Sequence, residues 1–213
     1  APDFLDRLKW LDGLPAESLT GVVIANEVLD ALPVALFELH RSGHQELGVV
    51  DDSGSLAFAA RPVQGELAVF CEKLVAVQEM PDGYRSEVGF AVDGLVKSVA
   101  DVLTAGAAIF IDYGLSANDF YIPERSQGTL RCHYRHHVHN DPLVFPGIQD
   151  VTAWVDFTRV AEAALAGGLS VAGYTNQAQF LLHAGLDEQF EWAASGTEVE
   201  QAQLAAQGRK FTL

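Results

Sequence analysis

The hydrophobic pattern predicts buried strands joined by helices. Residues 21–25 (GVVIA) are short, β-branched and uniformly apolar, as in a strand that a parallel sheet covers on both faces. Residues 107–111 (AAIFI) repeat that pattern. Residues 86–104 place apolar side chains along one helical stripe, with Gly106 at the position of a C-terminal cap. This order predicts an α/β fold with a mostly parallel sheet.

Between these elements the pattern changes to short strands separated by turns. The strand-like runs VALFELH, QELGVV and SLAFAARPV are separated by the turn sequences RSGH and DDSG. They predict an antiparallel β meander at about residues 34–63, which either lengthens the parallel sheet or projects from its edge.

Weaker patterns complete the prediction. Asp156 is expected to cap a helix that Gly167 and Gly168 end. Further strands are expected at residues 8–12 (LKWLD), around 129–138 and at 169–174 (LSVAGY). The tail is expected to be weakly helical before a final strand-like KFTL.

Both strongly apolar strands are followed at once by polar residues. Asn26, Glu27 and Asp30 follow the first, and Asp112 and Tyr113 follow the second. In an open α/β sheet, ligands bind beyond the carboxyl ends of the strands, so these side chains are expected to form one cluster.

Two interpretations of this cluster stay open. Asn26 and Glu27 are residue types that cap helices, and Asp112-Tyr113-Gly114 is compatible with a simple turn. Alternatively, Glu27 and Asp30 line a pocket for a cation. A planar guanidinium suits paired carboxylates, because bidentate bonds fix its orientation as well as its charge.

The composition limits the kinds of molecule that this protein is expected to bind. The 213 residues include 29 acidic and 13 basic ones, a net charge of −16, which argues against a general nucleic-acid or anionic-membrane surface. The best basic strip spans residues 125–135. No apolar run approaches the roughly 20 residues that span a bilayer, and no signal sequence is visible, so we expect an intracellular protein without membrane insertion.

Metal and disulfide chemistry are not expected. Cys71 and Cys132 form no closely spaced pair. On a single strand His133, His137 and His139 would share a face that excludes His136, but a substrate-contacting or solvated loop is the simpler interpretation. Phosphate-binding glycine motifs and the GxSxG motif are also absent from the sequence.

Four motifs occur in an order that resembles the MidA-like family. They are ANEVLDALPV, IDYG, GTLRCHYRHHVHNDPLVFPGIQDVTAWVDF and TNQAQFLLHAGL. Proteins of this family are S-adenosylmethionine-dependent methyltransferases related to the mitochondrial complex I assembly arginine methyltransferase. The resemblance implies a class I, Rossmann-like methyltransferase fold with an inserted β element.

The resemblance also implies how the domain is divided. By the family's strand order LKWLD is the third strand, so residues 1–213 correspond to a methyltransferase domain without its first two strands and cofactor loop. The insertion lies at about 34–63 and the substrate-side loops at about 115–150. Such a fragment is expected to be inactive alone.

Site residues follow from the matching motif positions. The expected catalytic residues are Glu27, Asp30 and Glu87. The expected S-adenosylmethionine-binding residues are Asp12, Asn26 and Glu27. The expected substrate-binding residues are Asp112, Tyr113, Gly128, Thr129 and Asp150.

The resemblance implies N-methylation of arginine in a protein partner similar to a respiratory complex I subunit. The alternative is a non-catalytic assembly factor on a methyltransferase fold, because fold alone does not establish catalysis. A nicotinamide-dependent oxidoreductase would need a fingerprint that is absent. The expected location is the bacterial cytoplasm, or the mitochondrial matrix in a eukaryote, and homodimer formation stays open.

Overall fold

The computed structural model describes residues 2–15 and 17–186, and it divides the chain into two units, residues 1–170 and 171–213. The strands of the first unit are β1 (Leu19–Asn26), β2 (Ala35–Leu39), β3 (Gln45–Asp52), β4 (Ser55–Pro62), β5 (Tyr84–Val88), β6 (Leu103–Ile111), β7 (Gly114–Leu115), β8 (Arg131–Tyr134), β9 (His137–His139), β10 (Asp150–Thr152) and β11 (Val155–Asp156). Its α-helices are α1 (Gly65–Val77), α2 (Ala91–Val102), α3 (Ala117–Phe120) and α4 (Phe157–Ala166). Short 3₁₀ helices cover Pro2–Arg7 and Pro123–Arg125, and the second unit contains α5 (Gln177–His183).

The parallel pairing of β1 with β6 confirms the central prediction. The register runs without interruption from Thr20 beside Ala105 to Asn26 beside Ile111. The expected burial of both faces is not found in the described residues, since Val22 is 60% and Ile24 66% exposed. Only one face of this strand is covered there, because residues alternate between the two faces of a sheet.

The predicted meander is present but forms its own sheet. Its strand order is β4-β3-β2-β5, with every pairing antiparallel. The predicted helix over residues 86–104 is therefore too long, because β5 takes its first residues and α2 begins at Ala91. Pairing along β2 buries Ser86 and Val88 and overrides the helical pattern.

Two hydrophobic clusters hold the first unit together. Phe37 and Leu39 of the meander pack with Leu67 and Cys71 of α1. The second cluster joins α2 to α4 and comprises Leu29, Val92, Val96, Val155 and Val160. The sequence pattern did not identify α1, which also exposes Val69, Val75 and Val77 and so lacks a clean apolar stripe.

The region after β6 holds small strands around short helices. Residues 129–138 were predicted as one strand, but they form a hairpin of β8 and β9 that turns at Arg135 and His136, with β10 on the other side of β8. The helix capped by Asp156 is confirmed, since its Oδ1 accepts hydrogen bonds from the Thr158 and Arg159 amides.

Two strand predictions are wrong. Residues 8–12 are irregular, with Trp10 91% exposed, and residues 169–174 contain no strand. A strand needs a paired neighbour to satisfy its backbone, and no described strand pairs with either segment. KFTL and most of the tail lie outside the described residues.

Among the helices of the described residues, none combines the length and the hydrophobicity needed to span a membrane.

Candidate functional site

The ends of β1 and β6 form an open polar edge. The Glu27 amide donates to the Ile111 carbonyl at 2.8 Å, which extends the pairing by one bond. Glu27 then turns the chain with a φ of 50°, a left-handed conformation that side chains rarely adopt. Asn26 and Glu27 are both exposed. The turn therefore directs the chain away from the sheet where the two parallel strands end.

Asp112 fixes this turn from the neighbouring strand. Its Oδ2 accepts hydrogen bonds from the amides of Leu29 at 2.9 Å and Asp30 at 3.2 Å. Its Oδ1 accepts from the Tyr113 amide at 2.8 Å. Both oxygens of this carboxylate are thus used by backbone donors, and the two motifs predicted to meet do meet.

The cluster concentrates negative charge. Burial raises the pKa of Asp30, and the charges of Asp112 and Glu27 raise it further. The charge of Glu27 is the main cause that raises the pKa of the exposed Tyr113 phenol. Repulsion of this kind within a partly open cluster favours a cationic ligand, because a positive charge relieves it.

Glu87 lies apart from this open edge, in the interior. It is 2% exposed, and its Oε1 accepts from the Thr129 amide at 2.8 Å and from the Thr129 hydroxyl at 2.5 Å. Burial raises the pKa of Glu87, whereas the two bonds from Thr129 lower it. Gly128, with φ +69°, packs so closely that a Cβ there would lie 2.2 Å from Glu87 Oε2.

A two-residue segment links Glu87 to the acidic cluster. The Thr129 hydroxyl accepts from the Trp154 amide at 2.8 Å, and the Ala153 amide donates to the Asp30 carbonyl at 3.0 Å. Next along the chain, the Val155 amide donates to the Tyr113 carbonyl at 2.8 Å. The sequence prediction missed this segment, although the motif that contains it had been recognised.

A small cavity lies beside Glu87. Its volume is about 20 Å³, enough for one water molecule, so it is no substrate pocket. Its lining includes Leu29, Glu87, Tyr121, Trp154 and Arg159. The Tyr121 hydroxyl donates to the Glu87 carbonyl at 3.1 Å, and burial raises the pKa of Tyr121 well above its usual value.

Two of the predicted site residues, Asp12 and Asp150, take no part in the hydrogen bonds described above. Asp12 is exposed and lies in a bend. Among the described residues, no hydrogen bond joins Asp12 to Glu27, Asp30 or Asp112. Asp150 begins β10 directly opposite His133 of β8. Its charge is the last of the causes that raise the pKa of Asp30.

The histidines of this region do not lie on a single strand, because His133 belongs to β8 whereas His137 and His139 belong to β9. His133 pairs opposite Val138, whereas His137 and His139 pair opposite Tyr134 and Cys132. Directly opposed residues share a face, so His133 points to the opposite face from His137 and His139. Among residues 2–15 and 17–186 there is no group of three or more side chains arranged to hold a metal ion.

Known proteins are similar to this chain in both sequence and fold. Residues 1–175 match the family model described as "Putative S-adenosyl-L-methionine-dependent methyltransferase". The mitochondrial protein arginine methyltransferase NDUFAF7 of mouse is 32% identical over 170 residues, which is 77% of this chain and 35% of that protein. Its human counterpart is 30% identical over 166 residues, with the same shares. The chain thus spans about a third of the length of these curated relatives.

A solved structure gives the same result. The crystal structure of a Burkholderia thailandensis protein bound to S-adenosyl-homocysteine matches with a TM-score of 0.85 and 43% identity, over 95% of this chain and 51% of that one. This likeness confirms the α/β methyltransferase fold. With the open polar strand ends and the family match over residues 1–175, it shows that the chain belongs to the family of S-adenosyl-L-methionine-dependent methyltransferases.

Proposed function

We propose that this chain forms the acceptor-binding part of an S-adenosylmethionine-dependent protein arginine methyltransferase. The observation that carries the proposal is the acidic cluster of Glu27, Asp30 and Asp112 at the adjoining ends of β1 and β6. It occupies the edge where open α/β sheets bind ligands, and its charge suits a guanidinium. The NDUFAF7 relatives, which carry the name protein arginine methyltransferase, support this assignment.

The residues fit S-adenosylmethionine at this edge. Asn26 and Glu27 are exposed at the end of β1, where an amide and a carboxylate can bind the hydroxyl and amino groups of a nucleoside-containing ligand. Asp12 is the further candidate from the family motifs. When bound, the cofactor supplies an electrophilic methyl group. This sequence contains no glycine-rich loop for the methionine portion of that cofactor.

The carboxylates would position and deprotonate the acceptor. A free arginine side chain has a pKa of about 12.5–13.8, so the attacking nitrogen needs help to lose its proton. Glu27 is exposed and can accept two guanidinium N–H bonds, which orients the group and withdraws positive charge from the attacking nitrogen. Asp30 is only 8% exposed, and its raised pKa suits it to take the proton at the edge of the cluster.

Other predicted residues would act indirectly. Asp112 holds the Glu27–Asp30 turn, and Tyr113 borders it from the next strand. Glu87 is buried under Thr129, so we assign it a positioning role in place of the expected catalytic one. Through Thr129 and Trp154 it sets the segment that bonds to Asp30.

The partner and location belong to this proposal as well. We propose a protein acceptor, similar to a subunit of respiratory complex I. The curated relatives are mitochondrial, which favours the matrix in a eukaryote, and the corresponding bacterial location is the cytoplasm. A non-catalytic assembly factor on a methyltransferase fold is the second candidate, because fold alone does not establish catalysis.

The test uses the complete protein that contains this chain. Glu27→Gln keeps the shape of the side chain and removes its charge, so methyl transfer from tritiated S-adenosylmethionine to protein should fall at least about 100-fold. Because the amide oxygen of glutamine can still accept a hydrogen bond from the cofactor, calorimetry should find the affinity for S-adenosyl-homocysteine within about threefold of the unaltered protein, about 0.65 kcal/mol. Glu72→Gln, on the exposed face of α1, is the matched control and should change neither quantity.

Each outcome decides between the candidates. Loss of transfer with retained S-adenosyl-homocysteine binding supports the catalytic proposal. Normal transfer by the Glu27 variant removes Glu27 from the mechanism. If the unaltered complete protein neither binds S-adenosyl-homocysteine nor transfers methyl groups, the assembly-factor function is the better one.

A further inference from the structure

A basic segment interrupts this acidic chain. The sequence carries a net charge of −16, yet residues 125–140 contain no Asp or Glu. The same segment holds Arg125, Arg131 and Arg135 together with four of the seven histidines. Three of the 13 basic residues therefore fall in a stretch of 16 residues without an acid, and the rest of the chain carries a net charge of −19.

The fold displays this stretch as a hairpin. Arg131, His133, Arg135, His136 and Val138 are all exposed, and we call them the hairpin surface. His133 and Val138 are directly opposed, so they share a face, and Arg131 lies two residues before His133 on the same face. Val138 is 59% exposed and adds an apolar contact between the charged side chains.

The tip of the hairpin adopts an unfavourable conformation. Tyr134 pairs with His137, so Arg135 and His136 form a two-residue turn, and their φ values are 47° and 67°. Such turns favour Asn-Gly, because residues with larger side chains pay a cost at positive φ. The Arg135 guanidinium lies 5.3 Å from the Tyr134 ring, which stacks on Phe145 at 4.6 Å. The hairpin therefore carries the Arg135 side chain at its tip, although an Asn-Gly turn would be more stable there.

The hairpin adjoins the acidic cluster. β8 pairs with β10, and β10 leads directly into Ala153, whose amide bonds to Asp30. Among the residues of β8, β9 and β10, the one carboxylate belongs to Asp150, which pairs opposite His133 at the start of β10 and so shares a face with it. Arg131 pairs opposite Thr152, at the end of β10 that leads to Ala153, and Arg135 lies four residues further along the hairpin, about 13 Å in extended chain.

We propose that the hairpin surface docks an acidic segment of the acceptor protein, next to the arginine held at the acidic cluster. This inference rests on the proposed function and adds a substrate class, namely arginines with Asp or Glu residues a few positions away. The two surfaces have opposite charge, so one acceptor segment would place its cation on Glu27 and its carboxylates on Arg131 and Arg135. This arrangement also fixes the direction of the segment across the sheet.

The test measures peptide binding by fluorescence anisotropy with the complete protein and S-adenosyl-homocysteine. One labelled peptide carries an arginine followed by Gly-Asp-Asp-Asp, and the other replaces each Asp with Asn. The acidic peptide should bind about tenfold more tightly at low salt, as expected from two or three exposed charge pairs, and the advantage should shrink as salt rises. Equal affinities would overturn the proposal.

Variants locate the effect. Arg135→Asn with His136→Gly creates the turn sequence that this conformation prefers, so the protein should be at least as stable while the acidic peptide loses most of its advantage. Lys73→Gln removes one positive charge from exposed α1 and should leave the advantage unchanged. Equal losses in both proteins would show a general charge effect and contradict a docking site.

Two further arms separate this inference from the proposed function and from nucleic-acid binding. Replacing the arginine by citrulline should weaken both peptides equally. An unchanged affinity would refute guanidinium binding at the acidic cluster, whereas the acidic-peptide advantage alone reports the hairpin surface. Oligo(dT) should compete weakly, and displacement of the acidic peptide at equal concentration would overturn a protein segment as the occupant.

Discussion

The carboxylate of Asp112 accepts a hydrogen bond from the Leu29 amide at 2.9 Å across 83 positions of the chain. This bond joins the polar residues after β6 to the turn after β1. It explains how two short motifs, each compatible with a simple turn or cap, become one cluster. The open polar edge therefore depends on Asp112 as much as on the residues that face solvent.

Asp112→Asn should destabilise the protein measurably. An amide has one acceptor oxygen, so either the Tyr113 amide or the Leu29 and Asp30 amides would lose their acceptor. Hydrogen bonds to charged groups are worth about 1.5–3 kcal/mol, so we expect a loss of about 2 kcal/mol in the free energy of unfolding. Urea denaturation measures it, with the exposed Asp6→Asn as control. A loss below about 0.5 kcal/mol would show that Asp112 does not fix the turn.

Glu87→Gln should change how stability depends on pH. Burial raises the pKa of Glu87 above its ordinary value of 4.5 in the folded protein. Its stabilising contribution is fully present below the unfolded pKa and is lost as pH rises through the folded pKa, because the buried carboxyl favours its proton. Glutamine does not titrate. The free energy of unfolding of the variant, minus that of the unaltered protein, should therefore increase from pH 4 upward and level off above the folded pKa.

Urea midpoints between pH 4 and pH 8 check this dependence. The raised pKa values of Asp30 and Asp156 affect both proteins alike and cancel in the difference. Glu72→Gln, which is exposed, should give a difference that stays flat over the same range. A difference for Glu87→Gln that falls with pH would mean that its folded pKa is lowered.

Gly128→Ala should be far more costly than Gly147→Ala. Both glycines have positive φ, +69° and +82°, so alanine pays a left-handed backbone cost of about 1–2 kcal/mol at either position. At Gly147 the new methyl group meets nothing within 4 Å, whereas at Gly128 it would lie 2.2 Å from Glu87 Oε2. Thermal or urea unfolding should show an additional loss of about 1–3 kcal/mol for Gly128→Ala. Equal losses would contradict the tight packing over Glu87.

The sequence alone determined the elements whose pattern is local. Uniformly apolar runs identified β1 and β6, turn residues identified the meander, and Asp156 with Gly167 and Gly168 identified α4. The polar residues after both strands predicted the acidic cluster, because parallel strands end at a common edge. The family motifs added the methyltransferase fold, which the solved relative confirms.

Only the tertiary structure decided the rest. Residues 8–12 have a strand-like sequence but no described strand beside them, and residues 84–88 left the predicted helix because β2 offered backbone partners. Glu87 was expected at the acceptor, yet Thr129, 42 positions away, holds it inside the protein. A local pattern records which faces of an element are apolar. It does not record which distant backbone groups satisfy a carboxylate, and those bonds determine which acids remain exposed to solvent.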